Sequence, residues 1–271
     1  MNIKRTLLQC QTMLGALVLL ACGALWAQKP PATSKATAKP AASSASPVGS
    51  GSPGNAPDNV DNGVAAFQRG HYSIAMRAWR GDADKGNPLA QNNIGFLYEQ
   101  GLGVGQSYPE AMSWYKKAAA QNLAQAQFNV GTLYAYGYGV ERNPREAVGW
   151  FRQAAKQNLA EAQYMLGLAY YEGQGVQPEG IMALEWFIKA GLQGYVPAQL
   201  MTAMVYQGGD AGKPDYFKAY VWSDVANQRG NNDASLVRDY ASYKLSRKEI
   251  ESAKTVAQAC LKTKFKDCPA R

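Results

Sequence analysis

The chain is 271 residues long, 46% hydrophobic, and carries 28 Lys or Arg against 20 Asp or Glu, a formal charge of +8. Its single histidine and four cysteines offer no zinc-ligand spacing, and no Gly-x-Ser-x-Gly elbow accompanies the one imidazole. Metal-dependent and triad-type hydrolysis are therefore poor first readings, and neither a metal nor a cofactor is expected.

Residues 1–27 read as a secretory signal peptide. Lys4 and Arg5 precede an apolar run from Met13 to Trp26, which ends on the small residue Ala27. The run is too short and too Gly-rich for a membrane span. Two cleavage readings compete. A cut after Ala27 frees a soluble protein, although Leu25 is larger than the residue usual two positions earlier. Leu19-Leu20-Ala21-Cys22 resembles a bacterial lipobox, which would acylate Cys22 and tether the chain to a membrane. The residues after Cys22 stay apolar instead of turning polar, which favours the soluble form. The expectation is secretion across the inner membrane to the periplasm, with an outer-membrane lipoprotein as the alternative. Residues 28–60 are rich in Pro, Ala, Ser and Gly with almost no large apolar side chain, so they read as a flexible linker.

Residues 61–230 repeat. Trp114, Trp150, Trp186 and Trp222 stand at intervals of 36, as do Tyr98, Tyr134, Tyr170 and Tyr206, and Gln91, Gln127, Gln163 and Gln199. A fixed period of this length marks an array of small units, each unable to bury its apolar face alone. In the unit from Leu89 to Asn122, Ala90, Ile94, Leu97 and Tyr98 have helical spacing. Gly101-Leu102-Gly103-Val104 breaks that helix, and Ser107 and Pro109 suit the start of a second one through Ala111, Trp114, Tyr115 and Ala118. The turn recurs at Gly137-Tyr138-Gly139-Val140 and Gly173-Gln174-Gly175-Val176, with second helices starting at Asn143-Pro144 and Gln177-Pro178. It decays in the fourth copy, at Gly208-Gly209-Asp210-Ala211, where Ala203 also replaces the helix glycine. Residues 62–86 read as a degenerate opening unit, with Trp79 aligned to Tyr115. The tryptophan column reads as core at Trp114, Trp150 and Trp186, and less so at Trp222.

Residues 231–271 carry the charge excess. From 61 to 243 there are fifteen Lys or Arg and sixteen Asp or Glu, whereas from Lys244 onward eight basic residues meet three acidic ones. The repeats thus show no basic stripe in their sum, and nucleic acid is not an expected partner. Cys260 and Cys268 form an even pair suited to a disulfide in an oxidising compartment, two free thiols being the alternative. Eight residues of straight helix would separate them by about 12 Å, against the roughly 4.4–6.8 Å that a disulfide spans. The helix must therefore end near Lys262, and Lys264-Phe265-Lys266 must fold back.

The columns AxAQ(N/F/Y)xxGxxYxxGxGV and AxxW(Y/F)xxAA, clearest from Ala160 to Val176, resemble the Sel-one-like repeat family, relatives of tetratricopeptide repeats. The resemblance covers roughly residues 62–230. It implies an all-α fold, a right-handed α-solenoid of helix–turn–helix repeats, used for protein–protein contacts. Ser246 to Ala253 also resembles the final helix that closes bacterial members, which makes 231–271 a C-terminal helical cap with a basic tail.

The chemistry inside the repeats points away from catalysis. His71 falls at the turn of the opening unit, and the Gly-x-Gly turns have neither a Lys-Ser/Thr pair nor a preceding strand, so they are helix breakers and not phosphate loops. If the first helices sit as in tetratricopeptide relatives, their non-core positions line a concave face. Those positions are Asn92, Phe96 and Glu99; Phe128 and Thr132; Tyr164, Leu168 and Tyr171; then Leu200 and Met204. Aromatic and flexible apolar side chains presented together suit a protein or peptide partner, unless they only pack between repeats. The resulting expectation is a non-catalytic interaction scaffold of the cell envelope. A cell-wall glycan binder, or rarely a hydrolase, is the alternative.

Overall fold

The computed structural model describes residues 59–270, together with Pro47. The expected leader, both cleavage readings at Cys22 and Ala27, and the linker apart from Pro47 and its last two residues lie outside the described residues. Among the described residues there are twelve helices and no strand. An opening pair, α1 (Asn59–Gln68) and α2 (Tyr72–Asp84), precedes four pairs in register: α3 (Pro88–Gln100) with α4 (Tyr108–Ala120), α5 (Ala124–Tyr136) with α6 (Pro144–Lys156), α7 (Ala160–Glu172) with α8 (Gly180–Leu192), and α9 (Val196–Gly208) with α10 (Tyr216–Gln228). Two more, α11 (Ala234–Lys244) and α12 (Arg247–Lys262), close the array. Each helix up to α11 packs on its neighbours in sequence, while α12 returns to lie on α10.

Local chemistry explains where the helices stop and start. The first helices end on Gly101, Gly137, Gly173 and Gly209, at φ of 69, 74, 72 and 77°, a left-handed conformation that a Cβ would disfavour. Ser107, Asn143 and Asp215 cap α4, α6 and α10 by accepting from the backbone N–H three residues on. The third unit departs from the sequence expectation. Its second helix begins at Gly180, two residues beyond Pro178, with Glu179 at the cap position and no side-chain cap bond. The 36-residue register, and not the proline, sets that boundary.

Within a repeat, a glycine on the first helix faces a ring on the second. A methyl added at Gly95, Gly131 or Gly167 would come within 2.7, 2.7 and 2.6 Å of Tyr115, Phe151 and Phe187 respectively. Those three rings are fully buried, as is Trp79, which a methyl on Gly63 would strike. The fourth unit changes both partners together. Ala203 takes the glycine position, Ser223 takes the ring position, and both are buried.

In the first three repeats the fully buried ring is the residue after the tryptophan; the core assignment made from the Trp register holds for Trp114 and is corrected at Trp150 and Trp186. Trp150 and Trp186 are only half-buried, and Lys189 sits 4.0 Å above the Trp186 ring. Trp114 is buried beneath Lys117, whose Nζ lies 3.9 Å from the ring. Trp222, expected to be the least buried, is fully buried, because the C-terminal segment covers it and Pro269 O accepts from its Nε1 at 2.9 Å. That segment turns back through Lys264 and Phe265, at φ of 53 and 71°, just beyond the end of α12 at Lys262. The Cys260–Cys268 disulfide holds it, with Cα atoms 4.7 Å apart. Ser246 and Glu249 form a capping box at the start of α12.

A second, polar column ties the repeats together. Gln121, Gln157 and Gln193 donate to Gln91, Gln127 and Gln163 at 2.9, 2.8 and 2.8 Å. Gln91, Gln163 and Gln199 in turn donate to the backbone oxygens of Ala83, Ala155 and Gly191. The ladder stops where Arg229 occupies the next position of the donor column, and there Gln199 Oε1 is left without a partner.

Alanine exceeds glycine by about 1 kcal/mol in a helix interior, so the glycine column exists for the rings. Gly167→Ala should destabilise the fold by about 1–3 kcal/mol through overpacking, and Phe187→Ser by about 3–5 kcal/mol through the cavity it leaves. Combined, they recreate the Ala203/Ser223 arrangement and should cost less than the sum by about 1 kcal/mol or more. Denaturant melts of the four proteins test this; strict additivity would mean that glycine and ring do not oppose one another.

Candidate partner-binding face

The ten residues that the sequence places on the first-helix face divide into two groups. Asn92, Phe96, Glu99, Phe128, Thr132 and Leu168 are buried and hold neighbouring helices together. Asn92 accepts from Asn129 Nδ2 at 3.0 Å, Phe96 meets Phe67 edge-on, and Phe128 packs on Phe151. Thr132 donates to the backbone oxygen of Phe128, and Glu99 accepts from the Tyr115 hydroxyl at 2.7 Å. Burial, followed by the Glu99 charge, pushes the Tyr115 phenol well up. Tyr164, Tyr171, Leu200 and Met204 remain half-buried and accessible. All four lie on the third and fourth units.

Around these four stands a cluster that the i, i+4 pattern did not reveal, because its members sit at helix ends and turns. Tyr138 stacks on Tyr108 at 4.9 Å and on Tyr136 at 5.6 Å between ring centres. Tyr195, which precedes α9, packs on Tyr164 at 5.2 Å, and Tyr164 and Tyr171 both lie against Phe187. Tyr171 donates a long 3.5 Å hydrogen bond to Asp210 Oδ2 in the turn after α9. The Tyr136 phenol is pushed up by burial first, then by Tyr138, Glu172 and Tyr195. Side chains of two consecutive units are therefore near enough to affect one another's charge. Burial, with Glu161 second, pushes Tyr195 up to about 12.

Two carboxylates in this region are held in surroundings unfavourable to their charge. Burial raises the Glu172 carboxyl, whose Oε1 is shielded from solvent and has no hydrogen-bond partner. Burial also raises Asp210, partly offset by the Tyr171 hydroxyl. Gln207 Oε1 is a further shielded acceptor without a partner. The face is thus rich in rings and acceptors. Among the described residues no group of three metal-ligating side chains converges, and His71 is an exposed residue at the start of α2.

A Sel1 repeat model matches residues 88–123, 124–159, 160–195 and 196–231. The chain belongs to the Sel1 repeat family. A crystal structure of a Sel1 repeat protein from Oxalobacter formigenes is 33% identical with a TM-score of 0.65, covering 76% of this chain and 83% of that one. A protective antigen of uropathogenic Escherichia coli, c5321, with an SLR fold, is 26% identical with a TM-score of 0.49, over 72% of this chain and 50% of its own. A Sel1 repeat protein from Klebsiella pneumoniae is 20% identical with a TM-score of 0.44, over 66% and 89%. A search of curated protein sequences finds no match. Sel1 repeat proteins are typically non-catalytic scaffolds for protein–protein contact.

A carboxyl whose folded-state pKa is raised contributes most below the ordinary carboxylate range, and that contribution is lost as pH rises through the raised value. Ionised Glu172 therefore weakens the fold at neutral pH. Glu172→Gln should raise the melting temperature at pH 7 and confer no gain at about pH 4, which thermal melts at the two pH values will check. A lower melting temperature for the variant at pH 7 would show that the carboxylate stabilises the fold.

Proposed function

We propose that the chain is a non-catalytic adaptor that captures a protein or peptide partner on the first-helix face of its third and fourth units. The observation that supports this most is the approach of Tyr136 of the second unit to Glu172 and Tyr195 of the third beside the half-buried Tyr164, Tyr171, Leu200 and Met204. A few large anchors, ringed by groups that exclude water, are what a binding hot spot requires. The linker would then give the array reach, and the leader would deliver it to the periplasm as a soluble protein, with acylation of Cys22 as the lipoprotein alternative. A glycan of the cell wall is the second reading, favoured by half-exposed tyrosine rings beside Asp210.

A photo-crosslinking residue at Leu200 should trap a partner in the native envelope, while one at Arg152, exposed on α6, should not. Tyr171→Ala with Met204→Ala should weaken capture by about 2 kcal/mol or more and leave helicity unchanged. Trapping only from Arg152 would move the site to the second helices, and trapping of purified cell-wall glycan alone would favour the second reading.

Export has its own test. Intact-mass analysis of the secreted chain should show a first residue of Gln28 and the loss of two hydrogens for the Cys260–Cys268 bond. A fatty-acid label on Cys22 would place the protein on a membrane, and alkylation of both remaining thiols without reduction would rule out the disulfide in the cell.

A further inference from the structure

The chemistry of this face specifies the charge of what it takes, on the reading that it is the adaptor's binding face. Glu99 and Glu172 lie at the exits of α3 and α7, and Asp210 follows α9. The C-terminal ends of these helices carry partial negative charge from their last carbonyls, which adds to that of the carboxylates. Glu172 Oε1 and Gln207 Oε1 are shielded from water without any donor. A shielded acceptor of this kind lowers stability until a donor reaches it.

Several of the protein's cations lie over rings: Arg80 and Lys117 over Trp114, Lys116 over Tyr134, Lys189 over Trp186 and Lys218 over Tyr206, all of them extending from second helices. Lys218 also pairs with Asp215 at 3.3 Å, and Lys213 stands three residues after Asp210 in the same turn. Arg142 is engaged as well, its Nε donating to Ala135 O and its Nη2 to Gln174 Oε1.

We infer that the face takes an extended segment of a partner protein bearing Arg or Lys, with one cation at Glu172 beside the Tyr136–Tyr138 pair and another at Asp210 beside Tyr171. A guanidinium supplies five donors and a flat surface that stacks on tyrosine, which suits carboxylates set beside rings. Half-buried Leu200 and Met204 suit apolar side chains alternating with the cations along an extended strand.

The test uses the mature full-length chain and a short fluorescent peptide of alternating Arg and Leu, with Glu/Leu and Ser/Leu peptides of equal length beside it. Since the mature chain keeps the full chain's +8 less the two charges of Lys4 and Arg5, a net +6, bulk electrostatics oppose the Arg peptide, so its binding reports a local site. Anisotropy should show the Arg peptide alone binding, more weakly as salt rises. Glu172→Gln and Asp210→Asn should each weaken it about tenfold, as expected for a lost charge-assisted contact. Circular dichroism and melting must show both variants folded, and Arg152→Ala serves as the control on the second helices. Equal binding of the Glu or Ser peptide, or no binding of the Arg peptide, overturns the charge inference. So does unchanged affinity in both carboxamide variants. In each of these cases the adaptor face still stands if crosslinks from Leu200 trap a partner; crosslinks from Arg152 alone would instead show that the adaptor reading itself has failed.

Discussion

The contact on which the array depends is a glycine without a side chain set against an aromatic ring, once per repeat. At Gly95, Gly131 and Gly167 the first helix approaches Tyr115, Phe151 and Phe187 so closely that a methyl group would overlap the ring. The glycine is unfavourable for the helix on its own, and the buried ring offsets that loss with a large apolar area. Because the same contact recurs every 36 residues, successive pairs have the same internal geometry. Every first helix then ends on the same side of the array. Where the fourth unit departs, it departs in matched fashion: Ala203 adds a methyl and Ser223 removes a ring. Two substitutions that would each be costly alone preserve the spacing together.

The glutamine ladder acts at right angles to that contact. It joins one repeat to the next by side-chain amides whose donors and acceptors are almost all used, and a buried polar network stabilises only when it is satisfied in this way. Its last acceptor, Gln199 Oε1, is orphaned where Arg229 leaves the pattern, with its guanidinium 4.7 Å above the Phe265 ring. Phe265 belongs to the disulfide-held segment that also covers Trp222. One substitution thus ends the repeat ladder and helps seat the cap, which fits the general need of a terminal unit to shield its outer face.

Much of this was legible in the sequence because it is local or periodic. The turns at Gly101, Gly137 and Gly173, the caps at Ser107 and Asn143, and the fold-back required by Cys260 and Cys268 all follow from short-range geometry. The aromatic core was misassigned by one position at Trp150 and Trp186, though not at Trp114. Neighbouring residues differ by about 100° around a helix, so Trp150 and Phe151 cannot share a face, and strict repetition of the tryptophan does not show which of them points inward. The first-helix stripe was read from the right spacing, yet six of its ten members are buried in contacts within or between repeats, since a stacked array covers much of what a single helix would expose. The cluster of Tyr136, Tyr138, Glu172, Tyr195 and Asp210 was not legible, because it draws on three units and on residues that differ from copy to copy. Its one sequence signal was the column in which Gln100, Tyr136 and Glu172 replace one another.

That column bears on the division between scaffold and site. Positions that repeat unchanged, such as the glutamines and the turn glycines, do the same structural work in every unit. Positions in the same register that change identity are free of that work and can acquire another. Glu172 is such a position, and it holds a carboxylate where burial disfavours its charge and no donor among the described residues reaches Oε1. Residues held at a cost to stability concentrate where proteins bind or react. A sum of charges close to zero over the repeats conceals this, since it sets Lys117 and Lys189, which rest on Trp114 and Trp186 of the second helices, against carboxylates at the exits of the first helices. The arrangement of charge, and not its total, is what a partner would meet.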